Sequence, residues 1–229
     1  MLDAVDEQAI PARTIRADAV YDRIVEKLMD RSLPAGMRIN IDALARELGV
    51  SPTPVREALG RLAAERYLNF SPYKGYAVVP PPSPRQFADM IGVRRLLEIE
   101  AARQAVVRAT ATHLHAIRRE LDRTHEALAH GALDLAFWKV HSRNYHDLTM
   151  RAADNDVLYE VWRLLKAPFI IAGLHYGLVE VNFPVALAEH RAIYEAIHAR
   201  DAERAAAAVL AHINGAEERM VAAAALRGP

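Results

Sequence analysis

The sequence contains no cysteine, which excludes disulfides, thiolate zinc sites and cysteine nucleophiles. This absence fits a reducing cytoplasm, where we expect the protein to be located. No apolar run approaches the roughly 20 residues that cross a bilayer, so we expect no membrane partner. The first ten residues, MLDAVDEQAI, lack a basic region followed by an apolar core, so we also expect no secretory signal.

A net charge is absent too, since 29 Lys and Arg residues balance 29 Asp and Glu residues. No global positive field therefore attracts nucleic acid. Residues 31–80 carry seven basic and four acidic residues, an excess of three positive charges that permits phosphate binding without indicating it. Apolar residues make up 52% of the 229 residues, a globular composition with enough chain for one large domain or two ordinary ones.

Proline is concentrated at one place, where four of the five residues from Pro80 to Pro84 are proline. Such a run cannot continue a helix or an inner strand and favours an extended connector, so we predict a domain boundary there. The predicted divisions are a flexible tail over 1–12, a first domain over 13–79, a linker over 80–85 and a second domain over 86–226.

The first domain shows three short helical patterns followed by a hairpin pattern. The first helical pattern is an apolar face with Val20, Ile24 and Leu28, and the second and third are the segments 41–48 and 52–66. The hairpin pattern consists of two β-type runs at 67–71 and 76–79. A turn with the sequence LPAGMRI, residues 33–39, follows the first helix, and the turn GVS lies between the second and third helices. This order predicts a winged helix-turn-helix of three helices with a β-hairpin wing.

The third helix begins with the unusual sequence Ser-Pro-Thr-Pro. The first four N–H groups of a helix have no partner within it, so Pro52 and Pro54 are tolerated in the first turn, with Ser51 at the N-cap. The outward face of this turn carries Thr53 and Arg56. Hydroxyls, an arginine and the positive end of the helix dipole suit phosphates and base edges.

The run LARELGVSPTPVREALGRLAAERYL, followed by YKGYAVV, resembles the DNA-binding domain of the GntR family of bacterial transcription regulators over about residues 14–79. The resemblance implies a dimer on double-stranded operator DNA, with the third helix in the major groove and the wing in the minor groove. It implies a base contact for Arg56 and phosphate or wing contacts for Ser51, Thr53, Lys74 and Gly75.

Two positions depart from the family pattern, because Pro52 and Asp42 stand where relatives carry DNA-contacting arginines. We therefore expect fewer direct base contacts than in those relatives. The residues alone leave open a second interpretation, in which the winged helix serves protein contact and Arg56 pairs with a neighbouring glutamate.

The second domain is almost wholly helical in pattern. The predicted helices are 85–108, 111–129, 132–153, 156–175, 184–199 and 201–226. Amphipathic helices with short connections form a bundle, so the predicted fold is mainly α: the winged helix-turn-helix followed by an all-α helical bundle.

Three of the ten histidines, His146, His190 and His212, lie on predicted helices at positions that can face a bundle core. The segments VRRLLEIEAARQAV, YH with Asn155 nine residues on, EHRAIYEAI, and a histidine 22 residues after His190 resemble the FCD domain, the effector-binding domain of the FadR-like branch of GntR regulators. The resemblance spans about residues 85–225. It implies a divalent metal ion, zinc or nickel, on these three histidines.

The family carries Asp or Asn four residues before the first of these histidines, where this chain has Ser142. A neutral hydroxyl is a poor ligand for zinc or nickel, so we expect a three-histidine site with positions open to water or an effector carboxylate. His141 lies five residues before His146 and therefore points elsewhere on the helix, so we do not expect it to replace the missing ligand.

The resemblance also indicates effector-binding residues, because Arg94 aligns with an arginine of the family's first FCD helix and Arg95 is its neighbour. An arginine facing the metal would clamp a carboxylate in a bidentate way, beside Ser142. The ordinary alternative is an i, i+4 ion pair between Arg94 and Glu98. Trp138, Trp162 and Phe169 either line the effector cavity or form simple core.

The leading interpretation is a DNA-binding regulator, repressor or activator, whose operator affinity is set by a small organic or sugar acid, and which is not an enzyme. One alternative is a metal-dependent hydrolase or lyase using the three histidines, which leaves the winged helix without a role. Others are a metal-free regulator that binds an acyl-type effector in a polar cavity, and a helical interaction domain with neither metal nor effector.

Overall fold

The structure, a computed structural model, describes the backbone of residues 12–176 and 182–225. It divides into two compact units, Met1–Pro81 and Pro82–Pro229, which are described separately below. The tail expected over residues 1–12 lies outside the described residues, except for Ala12, where the first helix begins. Among the described helices, none combines the length and the apolar character that a membrane span requires.

The first unit has the predicted winged helix-turn-helix fold. Its elements are α1 (Ala12–Met29), α2 (Ile41–Leu48), α3 (Pro52–Ala64), β1 (Leu68–Ser71) and β2 (Gly75–Val78). The two strands pair antiparallel, with Leu68 opposite Val78 and Ser71 opposite Gly75. Helix α3 ends two residues before the predicted end, because Arg66 takes a left-handed conformation with φ 64° and turns the chain into the wing.

The ends of α2 explain the turn that precedes α3. The Asn40 side chain accepts a hydrogen bond from the Ala43 N–H (2.9 Å) and caps the helix start. Gly49 ends the helix in the left-handed region with φ +67°, which favours glycine. Only residues 49–51 separate α2 from α3, as the sequence predicted.

The segment 33–39, which the sequence predicted as a turn alone, also pairs with the wing. The Ile39 N–H donates to the Tyr76 carbonyl (2.9 Å), and the Val78 N–H donates to the Met37 carbonyl (2.9 Å). Arg38 and Ala77 form the resulting single β-bridge. The sequence did not indicate this pairing, because three extended residues are too few to show an alternating pattern.

The second unit contains the six predicted helices within its described residues. They are α4 (Pro84–Arg108), α5 (Ala111–Ala129), α6 (Leu135–Ala152), α7 (Asp156–Tyr176), α8 (Phe183–His198) and α9 (Ala202–Ala225). Helix α6 begins three residues later than predicted, because Asp134 caps it by accepting from the Phe137 N–H (2.7 Å). Ser83 and Gln86 form a reciprocal capping box at the start of α4.

Helix α4 lies at the centre of the second unit and packs against α6, α7, α8 and α9. Buried apolar side chains such as Ile91, Ile117, Leu121 and Ile197 form most of the core. The same interior contains a set of buried polar residues: Arg94, Glu98, Thr124, His141, Thr149, His190 and His212. Buried polar groups destabilise a fold unless they are partnered, so this set marks the part of the bundle that needs an explanation beyond folding.

Candidate functional site

The first turn of α3 presents the predicted DNA-contacting side chains to solvent. Ser51 occupies the N-cap position, as predicted, but its hydroxyl makes no capping hydrogen bond. Thr53 and Arg56 are exposed. Within the described part of the chain, Arg56 has no ion-pair or hydrogen-bond partner, so the pairing with a neighbouring glutamate is not observed. The turn leaves two hydroxyls and a guanidinium available to an anionic surface.

The hairpin tip carries the other predicted contacts. Lys74 is exposed, and its N–H donates to the Ser71 carbonyl (3.0 Å) to close the turn. Gly75 has φ +71°, a conformation that other residues adopt at a cost. The fully exposed Tyr73 ring lies beside them. The tip is therefore a tight turn with one positive charge.

The structure brings His146, His190 and His212 together in the interior of the helical unit. They come from α6, α8 and α9, and one ligand nitrogen from each lies within 4.8 Å of the others. The Nε2 atoms of His146 and His212 are 3.3 Å apart. Two nitrogens bound to one tetrahedral zinc at 2.0–2.1 Å are also about 3.3 Å apart.

His190 has the most constrained imidazole of the three. The Trp138 and Tyr145 rings both stack on it, with interplanar angles of 9° and 12°, and the Tyr145 hydroxyl donates to the His190 carbonyl (2.7 Å). Burial lowers the pKa of His190 well below its usual value, so the ring is neutral. Its Nε2 atom is buried and has no hydrogen-bond partner among the described residues. A buried ring nitrogen that makes no hydrogen bond is available to bind a metal ion.

His212 is oriented by a carboxylate. Its Nδ1 lies 2.9 Å from a Glu189 oxygen, and Arg219 donates two hydrogen bonds to the same carboxylate (2.8 and 2.9 Å). Burial raises the pKa of Glu189, but the hydrogen bonds from His212 and Arg219 outweigh this effect and hold it at about 2. Gly215 leaves room for the pair, because a Cβ there would lie 3.0 Å from both an Arg219 nitrogen and a Glu189 oxygen.

His146 lies near a second buried carboxylate, that of Glu98 on α4. Its Nδ1 is 3.7 Å from a Glu98 oxygen, while Arg94 and the Trp162 indole donate to Glu98 at 2.7 and 2.8 Å. Burial raises the pKa of Glu98, but the Arg94 guanidinium, His146 and these hydrogen bonds hold it at about 2. Burial lowers the pKa of His146 to about 3, so this ring is also neutral.

A fourth histidine, His141, lies behind the group. It is fully buried, and its Nε2 is 3.0 Å from the Nδ1 of His190. Its own Nδ1 lies 2.7 Å from the Thr124 hydroxyl and 3.0 Å from a Glu120 oxygen. His141 is not part of the group of three converging histidines. The sequence did not indicate the contact with His190, which joins residues 49 positions apart.

The residues present fit a divalent metal ion. Three imidazoles converge, carboxylates or a histidine lie behind them, and one buried ring nitrogen has no hydrogen-bond partner among the described residues. The His, Asp and Glu groups of the described residues add no carboxylate oxygen to this set. Ser142 is half-buried, one helical turn before His146. The arrangement suits a three-nitrogen site with coordination positions left for oxygen ligands.

The predicted effector residues Arg94 and Arg95 both have partners in the protein. Arg94 is buried, forms the i, i+4 ion pair with Glu98 and lies over the Phe169 ring at 3.9 Å. Arg95 donates to Asn214 at 2.9 and 3.1 Å and pairs with Glu217 on α9. Of the predicted aromatic residues, Trp138 contacts His190, Trp162 contacts Glu98 and Phe169 contacts Arg94. Each of these three rings therefore contacts a buried polar residue of the interior.

A winged helix followed by an all-helical domain with a buried polar centre defines a class of DNA-binding regulator that carries its own ligand-binding domain. Profile comparison matches residues 89–215 to the FCD domain and residues 16–78 to the bacterial regulatory proteins of the gntR family. The chain belongs to the GntR family, and its second unit is an FCD domain, as the sequence predicted.

Curated relatives agree with this assignment. The probable D-xylose utilization operon transcriptional repressor of Paenarthrobacter nicotinovorans is 31% identical over 88% of this chain and 87% of its own length. The galactonate operon transcriptional repressor of Escherichia coli is 27% identical over 77% of this chain and 84% of its own length. The chain is thus a transcriptional regulator and not an enzyme, which confirms the prediction and removes the hydrolase or lyase alternative.

Solved structures share the fold. The McbR/YncC protein of Escherichia coli superposes with a TM-score of 0.73 at 23% identity, covering 90% of this chain and 97% of that chain. A GntR-type regulator from Rhodococcus sp. RHA1 gives 0.70 at 18% identity, covering 91% and 98%. At these identities the likeness concerns the fold alone.

Proposed function

We propose that the protein is an operator-binding repressor whose affinity for DNA is modulated by a small organic or sugar acid bound at or near a divalent metal ion in the FCD domain. The observation that carries this proposal is the convergence of His146, His190 and His212, in which the buried Nε2 of His190 has no partner within the described part of the chain. The similarity of the chain to a probable D-xylose utilization operon repressor and to a galactonate operon repressor supports sugar-related control.

His146, His190 and His212 would hold the ion, zinc or nickel. When bound, the ion supplies a positive Lewis-acid centre that attracts carboxylate or water oxygens. Glu189 would accept a hydrogen bond from the outer side of the His212 ring. The negative charge of Glu98 would lie near the outer side of the His146 ring. Ser142 would offer a hydroxyl to the effector rather than a charged ligand to the ion. The neutral imidazoles leave the full positive charge of the ion for an anionic effector.

Arg94 and Arg95 remain our proposed effector clamp, but an effector carboxylate has to compete with their present partners. For Arg94 that partner is Glu98, and the exchange would also release the carboxylate behind His146. Effector binding and metal binding would therefore be coupled through one residue. Such coupling requires that the effector bind the two arrangements with different affinity.

On DNA we assign a base contact to Arg56, phosphate contacts to Ser51 and Thr53, and wing contacts to Lys74 and Gly75. The exposed and unpaired state of Arg56 supports this assignment. We further propose a homodimer, since α4 exposes apolar residues at helical spacing, with Leu96 73% and Val107 79% exposed. Exposed apolar side chains in a row are typical of protein interfaces.

The first test is metal analysis of protein purified without nickel chromatography. We expect about one zinc or nickel per chain, lost in His190→Ala. Metal content near zero that the substitution does not alter would contradict the metal site and favour the metal-free regulator. His198→Ala, an exposed histidine on the same helix, is the matched control.

The second test is a gel shift with the DNA beside the protein's own gene, with and without zinc and a series of sugar acids. We expect one acid to change the operator affinity only in the metal-loaded protein. An effect of the same size after chelation would separate the effector from the metal. Absence of any DNA binding would contradict the regulator function itself.

A further inference from the structure

A row of hydrogen bonds leads from the middle of α5 to the Nδ1 atom of His190. Glu120 and Thr124 lie on α5, His141 on α6 and His190 on α8. Three of the members are fully buried: Thr124, His141 and His190. Each contact in the row is between 2.7 and 3.0 Å. Because these groups are buried, they have to make their hydrogen bonds with one another.

The outer end of the row determines where the proton of His141 lies. Thr124 donates its hydroxyl hydrogen to the Glu120 main-chain carbonyl (2.9 Å), so its oxygen is left to accept. The Glu120 carboxylate is an acceptor as well, because hydrogen bonds and the charge of Arg123 hold it ionised despite burial. His141 Nδ1 faces two acceptors and therefore carries a proton. An imidazole whose single proton lies on Nδ1 has a bare lone pair on Nε2.

The same argument continues to the next ring. Since His141 Nε2 accepts, the hydrogen in the 3.0 Å contact belongs to His190 Nδ1. A neutral His190 with its proton on Nδ1 has its lone pair on Nε2, which is the atom without a partner. We infer that His141, oriented by Glu120 and Thr124, is a positioning residue that holds His190 in the tautomer able to bind a metal ion through Nε2.

The stacked neighbours cannot replace this role. Trp138 and Tyr145 hold the plane of the His190 ring, but a stacking ring contacts both tautomers equally. His212 obtains the same tautomer from the Glu189 carboxylate directly. No such carboxylate contact is observed for the His190 ring among the described residues, and the His141 imidazole relays the effect of Glu120 to it. The row is the counterpart of a carboxylate–histidine–metal arrangement with one additional histidine.

The tautomer can be measured without any metal, which separates this inference from the proposed metal-dependent function on which it builds. Long-range ¹H–¹⁵N correlation spectra of chelator-treated protein distinguish protonated from bare imidazole nitrogens. We expect His141 and His190 both to be protonated at Nδ1 and bare at Nε2. A proton on Nε2 of His190 would overturn the inference, whatever the metal content of the protein.

Two variants test the consequence for metal affinity by competition with a zinc-binding dye. His141→Phe fills the space but removes the acceptor, and we expect zinc affinity to fall by about 10–100-fold, with His190 populating both tautomers. His141→Gln restores an acceptor oxygen near His190 Nδ1, and we expect it to recover part of that loss. A purely structural role would not separate these variants in this order.

His125→Phe, the same substitution at an exposed position of α5, is the control and should leave affinity unchanged. Circular dichroism and a melting curve check that each variant is folded. If the wild-type protein binds zinc and His141→Phe binds it equally well, the positioning role is wrong. If the wild-type protein binds no zinc, the proposed function fails, and the spectra alone decide the tautomer.

Discussion

The two units of this protein place their proposed functional residues in opposite surroundings. In the winged helix, Thr53, Arg56 and Lys74 are exposed and have few contacts within the protein. In the helical unit, His190 and His212 are buried, and the network around them draws on all six helices. An exposed site is defined by the local chain and by the partner that it meets. A buried site is defined by residues distant in sequence, which makes it sensitive to changes that never touch the ligand.

The difference extends to chemistry. All ten histidines and both tryptophans follow residue 82, so the first unit has neither. Metal binding and titration near neutral pH are therefore expected only in the helical unit. Tryptophan fluorescence reports the unfolding of that unit alone, because Trp138 and Trp162 are its only sources. The two units can thus be perturbed and observed separately within the intact chain.

The largest expected effect is on the buried ion pair. Glu98→Gln leaves the Arg94 charge buried without its partner, and we expect the free energy of unfolding to fall by about 3–5 kcal/mol. Urea unfolding of metal-free protein, followed by tryptophan fluorescence, measures it. Glu203→Gln removes a carboxylate from an exposed pair and should change stability by at most about 1 kcal/mol. Equal effects in the two variants would show that burial of the pair is unimportant.

Acidification should affect the helical unit next. The unfolded chain protonates a histidine near pH 6.5, whereas the pKa of folded His146 is about 3, so the unfolded state binds more protons between these values. The stability from the neutral ring is complete above about pH 6.5 and is lost as pH falls. We expect a loss of about 2 kcal/mol between pH 7 and pH 5 from His146 alone.

Urea midpoints measured with chelator across this pH range test the prediction. His146→Gln should flatten the dependence, because the variant lacks the titrating ring. An unchanged slope in the variant would assign the pH dependence elsewhere. Amide exchange in α1 and α3 should change little over the same range, because the winged-helix unit contains no histidine between Ala12 and Pro81.

A substitution on the exposed site should change DNA binding without changing stability. We expect Arg56→Ala to weaken operator binding by about 1–3 kcal/mol, since the proposed base contact of Arg56 is lost, while the urea midpoint stays the same. Fluorescence anisotropy at fixed salt measures the affinity. Arg118→Ala removes an equal charge from an exposed position of α5 and serves as the control. An unchanged affinity would remove Arg56 from the recognition role.

The smallest effect distinguishes two helix caps within the winged helix. Asn40→Ala removes an observed capping bond and should destabilise the unit by about 1 kcal/mol. Ser51→Ala removes a hydroxyl that makes no such bond, so we expect a change below about 0.5 kcal/mol. Amide exchange in α2 and α3 measures both. A loss at Ser51 as large as that at Asn40 would indicate that the hydroxyl caps the helix and is not reserved for DNA.

Most of the fold was predictable, because its signals are local. The paired prolines after Ser51, Gly49 past the end of α2 and the proline run after Val79 each fix backbone geometry within a few residues. Of two errors, one was local and one was not. The start of α6 at Leu135 depended on the cap by Asp134, and the pairing of residues 37–39 with β2 depended on a strand elsewhere in the chain.

The site was predictable only in part. The three histidines were identified through a resemblance that preserves their spacing. The residues behind them were not: Glu98 was considered only as a partner of Arg94, Glu189 only as a neighbour in sequence, and His141 only as a ligand to be excluded. Glu120 and Thr124 gave no signal, since a buried hydrogen bond between α5 and α6 has no pattern along either helix.

The sequence by itself therefore determined the family, the order of the helices, the exposed first turn of α3 and the three histidines that face one another. Only the tertiary structure decided that the Glu98 carboxylate accepts hydrogen bonds from Arg94 and Trp162 and lies near His146. It also decided that His141 lies between Glu120 and His190. Periodicity places a side chain on a face of its own helix. The packing of six helices decides which side chains from the other five it meets there, and therefore which ring nitrogen carries the proton.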